Sequence, residues 1–209
     1  ILDEVMCGMG RTGHLFACEA ENITPDILCI AKGLGAGYQP IGAMMCKSEV
    51  YNAISSGSGF FQHGHTYLGH PVATAAGNAV LKKLTSEGMM EGVLKKGKKL
   101  SLALKNAFSH NPNIGNIRGR GLFQGIELVK DLKTKKPFHP EYKLAQKIKS
   151  IAFEEGLICY PMSGTRDGQF GDHVLLAPPF IIKDDQIEEL VIKISCAINL
   201  ALKETNSLS

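Results

Sequence analysis

Five consecutive apolar residues, Ile27-Leu28-Cys29-Ile30-Ala31, stand between Pro25-Asp26 and the run Lys32-Gly33-Leu34-Gly35-Ala36-Gly37. A run that short, bounded by turn formers, suits one strand buried on both faces and is too brief for a helix. Such a strand needs partners and covering helices, which an open α/β sheet supplies. The opening residues Ile1-Leu2-Asp3-Glu4-Val5 read as the end of a second buried strand. Nothing precedes them to begin it, so the expectation is a chain that lacks an N-terminal portion. Ile41 to Cys46 reads as a third strand, and the Gly- and Ser-rich stretch Ser55 to Gly64 as a loop.

Helical spacing follows. Pro71 suits a first helical turn, and Val72, Ala75, Ala76, Ala79 and Val80 recur behind it. Val93, Leu100, Leu104 and Phe108 mark one face of the next helix, which should end near His110-Asn111-Pro112. That cluster is the expected domain boundary, giving residues 1–110 to an α/β domain and 111–209 to a small C-terminal α+β domain. In the second part Leu122 to Leu128 alternates as a strand does, and Leu157 to Tyr160 and Val174 to Ala177 suggest two more. Leu144, Ile148 and Ile151 form a helical stripe closed by Gly156. Ile187, Leu190, Val191, Ile194, Ala197, Ile198 and Ala201 form the clearest one, with Asp185 and Glu188 as a capping box at its start.

Composition narrows the function classes. The net charge of the 209 residues is +3, with 44% apolar and 21% charged residues, as in ordinary water-soluble proteins. Lys95, Lys96, Lys98 and Lys99 read as the solvated face of a helix, so no nucleic-acid partner is expected. Six cysteines without a C-x-x-C pair argue against a zinc site and against a disulfide framework, and point to a reducing, cytoplasmic setting. No apolar stretch nears the roughly 18 residues of a membrane span, and no signal-peptide pattern is visible.

Three features carry chemistry. Lys32 ends an apolar strand beside a glycine-rich loop, where open α/β sheets bind ligands. Partial desolvation there favours the neutral, nucleophilic form of a lysine amine, as Schiff-base formation requires. Asp3 closes the earlier apolar run, and a strand adjacent to that of Lys32 would set its carboxylate near the amine. A carboxylate in that place suits a pyridine nitrogen that must stay protonated; the alternatives are an ordinary surface lysine at a strand end and an Asp3 that merely caps a helix or turn. Glu4 and Asp26 read as solvated or turn residues. In His63-Gly64-His65-Thr66-Tyr67-Leu68-Gly69-His70-Pro71, a hydroxyl and backbone N–H groups ahead of a helix can hold a phosphate. The rival for that segment is a metal site on His63, His65 and His70, which has no nearby Asp, Glu or Cys to complete it; no metal is expected. The turn Gly8 to Gly13 offers a second, weaker phosphate cradle.

These motifs resemble, in order and spacing, those of the class III (omega-type) aminotransferases. The resemblance lies in Asp3-Glu4-Val5-x-x-Gly8-x-Gly10-Arg11-Thr12-Gly13, in Pro25-Asp26-Ile27 with Ala31-Lys32-Gly33-Leu34, and in Gly37-Tyr38-x-Pro40-Ile41-Gly42-Ala43. It continues through His63-Gly64-His65-Thr66-Tyr67 and Gly69-His70-Pro71, and reaches Arg118-Gly119-Arg120-Gly121-Leu122 and Ala177-Pro178-Pro179. It implies a fold-type-I transferase dependent on pyridoxal 5'-phosphate, with a mostly parallel sheet in its large domain. Lys32 would form the Schiff base and shuttle the proton, Asp3 would pair with the pyridinium nitrogen, and Val5 would pack on the ring. Thr66 would bind the cofactor phosphate of the neighbouring subunit, so the working unit would be a homodimer. The segment Gly171 to Pro179 is similar to that of members acting on amines or omega-amino acids with a 2-oxo acid such as pyruvate. Diamino-pelargonate-type and ornithine-type enzymes, aminomutases, decarboxylases and a non-catalytic fragment remain alternatives. Many members place an arginine shortly before Ala-Pro-Pro to grip a substrate carboxylate. Here Val174, Leu175 and Leu176 stand there instead, and the nearest arginine is Arg166, among Gly164, Gly168 and Gly171, either a mobile substrate-binding arginine that swings in for a carboxylate or a solvated loop residue.

Overall fold

The computed structural model describes residues 1–207, and the chain divides into two compact units, Ile1–Val93 and Leu94 onward. The division falls inside helix α3 (Met89–Ala107), ahead of the turn at which the sequence suggests a change of domain.

The first unit holds a three-stranded sheet of β1 (Leu2–Asp3), β2 (Ile27–Ile30) and β3 (Ala43–Cys46), with β2 in the centre. β1 pairs with β2 in parallel, but β3 returns antiparallel. This portion of the sheet is therefore mixed, where the sequence suggests a mostly parallel one. The cause lies in the β2–β3 connection, which contains only the single 3-10 turn Lys32–Leu34 and no helix to carry a parallel crossover.

Helix α1 (Ser48–Ser56) is not among the expected elements, although Val50, Ala53 and Ile54 recur in it at helical spacing, and none of its side chains is buried. The Asp26 carboxylate meets Lys47 Nζ at 2.8 Å just ahead of it. Helix α2 (Pro71–Leu84) begins at the proline as expected, but it buries Ala73, Gly77 and Leu84. The anticipated stripe is turned outward, with Val72 left 55% exposed. Gly77 explains the offset. Without a side chain there the helix settles onto the turn after β2, where a Cβ would lie 3.3 Å from Ile41 Cδ1.

In the second unit the strands are β4 (Ile114–Arg120), β5 (Phe123–Leu128), β6 (Tyr160–Ser163) and β7 (Asp172–Leu176). They form an antiparallel sheet in the spatial order β4-β5-β7-β6. Helices α4 (Leu144–Glu154) and α5 (Asp184–Asn206) pack against each other. Ile126, Ile148, Val174, Ile187, Ile194 and Ile198 are fully buried in this unit, and burying each such side chain contributes about 1.5–3 kcal/mol. α4 ends as expected: Gly156 has φ +76, and Leu157 donates back to the Ala152 carbonyl at 2.7 Å. That bond ties Leu157 to the helix, so β6 starts only at Tyr160. The box expected at α5 is replaced. Gln186 Oε1 accepts the Lys183 N–H at 2.9 Å, while Glu188 pairs with Lys99 at 3.0 Å.

The lysine cluster of α3 is only partly solvated. Lys96 Nζ donates to the Phe180 carbonyl at 2.7 Å and Lys99 reaches the start of α5. Gly97, between them, seats α3 so closely on the β4–β5 turn that a Cβ there would overlap the Gly121 backbone. No helix among the described residues is long and apolar enough to cross a membrane.

Candidate active site

The parallel ladder sets Leu2 opposite Leu28 and Asp3 opposite Cys29, and the Glu4 N–H extends it to the Cys29 carbonyl at 2.9 Å. Asp3 and Lys32 therefore leave adjacent strands at the same, carboxyl edge of the sheet. One Asp3 oxygen, Oδ1, accepts the Val5 N–H at 3.0 Å; Oδ2 has no partner among the described residues. Val5 is half-buried beside it. Lys32 opens the 3-10 turn with φ +42, and the Leu34 N–H closes that turn on the Ala31 carbonyl at 2.9 Å. Its side chain is exposed. The desolvation expected at this strand end is not provided by the described residues, because a side chain at a sheet rim is covered only by what folds over the rim.

Gly8, Met9, Gly10, Thr12 and Gly13 are buried. The N–H groups of Gly10, Arg11 and Gly13 already donate to Leu15, Gly8 and Gly10 carbonyls. This loop is thus packed against its own chain and is not an open phosphate cradle. Thr66 lies on an exposed turn closed by the Leu68 N–H on the His65 carbonyl at 3.1 Å, just before α2. His63 stacks edge-on against Phe61 and His70 against Tyr67. Among the described residues no three His, Cys, Asp or Glu side chains are placed to share a metal ion.

Glu4 is the residue that sequence reasoning missed. It is 3% exposed, where a solvated residue was expected. Its carboxylate accepts the Ala17 N–H at 2.7 Å through Oε2 and the Cys18 N–H at 2.8 Å through Oε1. Its place between Asp3 and Val5 puts its side chain on the side of the chain opposite theirs, but what keeps a carboxylate buried there is a pair of N–H groups further along the chain. Burial, together with the Glu4 charge, pushes the Cys7 and Cys18 thiols above their ordinary range.

The sequence profile described as "Aminotransferase class-III" matches residues 1–198. The chain belongs to the class III aminotransferases. An aminotransferase of Gibberella zeae is 44% identical over 97% of this chain and 40% of its own length. An uncharacterized aminotransferase of Schizosaccharomyces pombe is 48% identical over 94% of this chain and 43% of its own. The chain thus spans about two-fifths of the length of these relatives. Among solved structures, the PMP-bound form of an aminotransferase from Vibrio fluvialis superposes with a TM-score of 0.85 at 34% identity. That match covers 97% of this chain and 44% of the other.

Class III aminotransferases work with pyridoxal 5'-phosphate, and the residues of this class III chain fit that group. An aldehyde needs an amine and a protonated ring nitrogen needs an acceptor. Lys32 Nζ makes no hydrogen bond or ion pair among the described residues, and Asp3 Oδ2 is likewise unengaged.

Arg166 lies in the second unit, on a loop held by its own N–H to the Phe170 carbonyl at 2.9 Å and by Asp167 Oδ1 to the Phe170 N–H at 2.8 Å. It lines a cleft of about 450 Å³ with Arg118, Glu127, Lys135, Asp172 and His173. Arg118 pairs with Glu127 at 2.7 Å. Burial, and secondarily the Arg118 charge, hold His173 below its usual pKa, which favours the neutral imidazole. Lys135 donates to the Gly115 carbonyl at 2.7 Å, whereas the Arg166 side chain is exposed.

Proposed function

We propose that this chain carries the lysine-bearing part of a transaminase site that moves an amino group from an amine or omega-amino acid to a 2-oxo acid such as pyruvate. The observation that carries the reading is the emergence of Asp3 and Lys32 at one edge of two hydrogen-bonded parallel strands. In this reading the chain belongs to a fold-type-I transferase, with residues 1–110 in its large domain and 111–209 forming its small one, and works in the cytoplasm.

When bound, pyridoxal 5'-phosphate supplies an electron sink for charge developing on the substrate carbon. Lys32 would hold it through Nζ, and the same amine would move the proton at the substrate carbon. Asp3 Oδ2 would accept from the ring nitrogen and keep it charged, while Oδ1 stays with the Val5 N–H. Val5 would pack beside the ring. Thr66 would offer its hydroxyl to the phosphate held by a neighbouring subunit, which would make the working protein a homodimer. Transfer in two half-reactions gives ping-pong kinetics.

The test is borohydride reduction after incubation with pyridoxal 5'-phosphate, followed by peptide mass mapping. The expected result is a phosphopyridoxyl group on the peptide that contains Lys32 and on no other. Labelling spread over surface lysines would overturn the assignment.

Arg166 is the candidate grip for the acceptor's carboxylate, supported by its exposure on a loop beside a cleft whose other cations are engaged or neutral. Arg166→Ala should raise the KM for a 2-oxo acid about tenfold, the loss of one charge-assisted hydrogen bond. The KM for an amine without a carboxylate should not change. Equal KM values for the 2-oxo acid in variant and parent would remove Arg166 from the site.

A further inference from the structure

We infer that Glu4 is a positioning residue for Lys32, acting through Met9; the inference rests on the reading of Lys32 as the cofactor anchor. It starts from two backbone outliers. Lys32 has φ +42 and Met9 has φ +55, and a residue with a side chain keeps a left-handed backbone only where its surroundings hold it there. Their two turns meet, at Gly33 and Met9. A Cβ built on Gly33, the residue after Lys32, would lie 2.8 Å from Met9 Cβ and 3.5 Å from Met9 Cγ. Met9, only 1% exposed, therefore fills the space that the missing Gly33 side chain leaves. It sets how closely the turn after β2 approaches the glycine-rich loop, and with it the backbone from which the Lys32 amine departs.

Glu4 holds that loop. Its carbonyl accepts the Gly8 N–H at 3.0 Å, and its carboxylate accepts two N–H groups at the loop's far end, Ala17 and Cys18. Cys7 Sγ lies 3.6 Å from Oε2. Gly8 is pressed against Glu4 itself, since a Cβ there would sit 2.7 Å from the Glu4 carbonyl oxygen and 3.1 Å from Oε2. One buried residue thus clasps both ends of the segment that carries Met9, the near end through its main-chain carbonyl and the far end through its carboxylate. A carboxylate suits this task because each of its oxygens accepts from a backbone N–H, and charge-assisted bonds of this kind are about twice as strong as neutral ones. Asp3 and Val5 flank Glu4 in sequence, so the same clasp also fixes the strand end that presents Asp3. No part of this arrangement requires Glu4 to touch cofactor or substrate.

Glu4→Gln tests it, because an amide can accept only one of the two N–H groups and sets an NH2 against the other. Amide hydrogen exchange on the full chain without pyridoxal phosphate reads the turn directly, at Leu34, Gly35 and Ala36, whose N–H groups bond to Ala31, Lys32 and Gly33. The expected result is about tenfold faster exchange at these three amides, the loss of one such bond, with the β4–β5 ladder unchanged. Exchange that rises only within residues 8–18 would show that Glu4 holds its loop alone and would overturn the inference. If Glu4→Gln does not fold, Gly33→Ala decides: it intrudes on Met9 with the clasp intact. It should loosen the same three amides, and normal exchange there would overturn the inference as well. Borohydride labelling of the parent separates the two readings. A parent that takes no label at Lys32 defeats the cofactor assignment, whereas the exchange result reports the mechanical coupling in either case.

Discussion

Lys32→Ala is expected to lower amino-group transfer by roughly 10²–10⁴-fold, the range that a positioned proton-transfer group contributes, and to abolish borohydride-stable labelling. The fold should barely register the change. Lys32 is exposed and its side chain makes no hydrogen bond or ion pair among the described residues, and surface substitutions of that kind usually stay within about ±0.5 kcal/mol. Its left-handed backbone is no obstacle, since alanine carries the same Cβ as lysine and meets the same strain. A parent-like melting curve with lost turnover would separate chemistry from folding. Parent-like turnover would end the case for Lys32 as the anchor, and with it the role given to Asp3.

The second large effect concerns stability, and its sign opposes ordinary helix propensity. Within a helix, glycine to alanine is usually stabilising by about 1 kcal/mol. Gly92→Ala in α3 should follow that rule, because a Cβ there meets nothing within 4 Å. Gly97→Ala, in the same helix, should do the reverse. Its Cβ would overlap the backbone of Gly121, and backbone cannot rotate away as a side chain can. Overpacking of this kind typically costs about 1–3 kcal/mol, enough to outweigh the propensity gain. For a chain of this size each kcal/mol moves Tm by about 2–4 °C. Thermal denaturation should therefore show Gly92→Ala melting above the parent and Gly97→Ala below it. Parallel shifts of the two variants would mean that α3 does not rest on the β4–β5 turn.

Elements with a one-sided apolar period were legible from sequence, and elements held by close approach were not. The face of α5 from Ile187 to Ala201 and the alternation in β5 appear where the pattern puts them, because burial there is decided by side chains that the sequence displays. α2 shows the opposite case. Its apolar letters suggest one face, yet Gly77 turns another toward the Leu34 turn, and a glycine contributes nothing to a hydrophobic period. β4 escaped notice for a related reason: Gly115 and Gly119 interrupt it, and only Ile114 is buried. At the site, Lys32 and Asp3 could be paired in advance because both end apolar runs. Glu4 could not, since its burial depends on two N–H groups in a loop well along the chain.

The strand order of the second sheet bears on how the protein comes to be folded at all. β4 and β5 are joined by a short turn and can zip as a local hairpin, but the next neighbour of β5 is β7, which begins only at Asp172. Among the described residues β6 pairs with β7 alone. On the ribosome, then, β5 keeps one bare edge and β6 has no partner until Asp172–Leu176 emerges. Closure waits on a single late strand that must insert between two earlier ones, a long-range step of the kind that slows folding and leaves an unpaired edge exposed to other chains. A pause that leaves Ser163 outside the ribosome and Asp172 still within it would strand the chain in that half-built state.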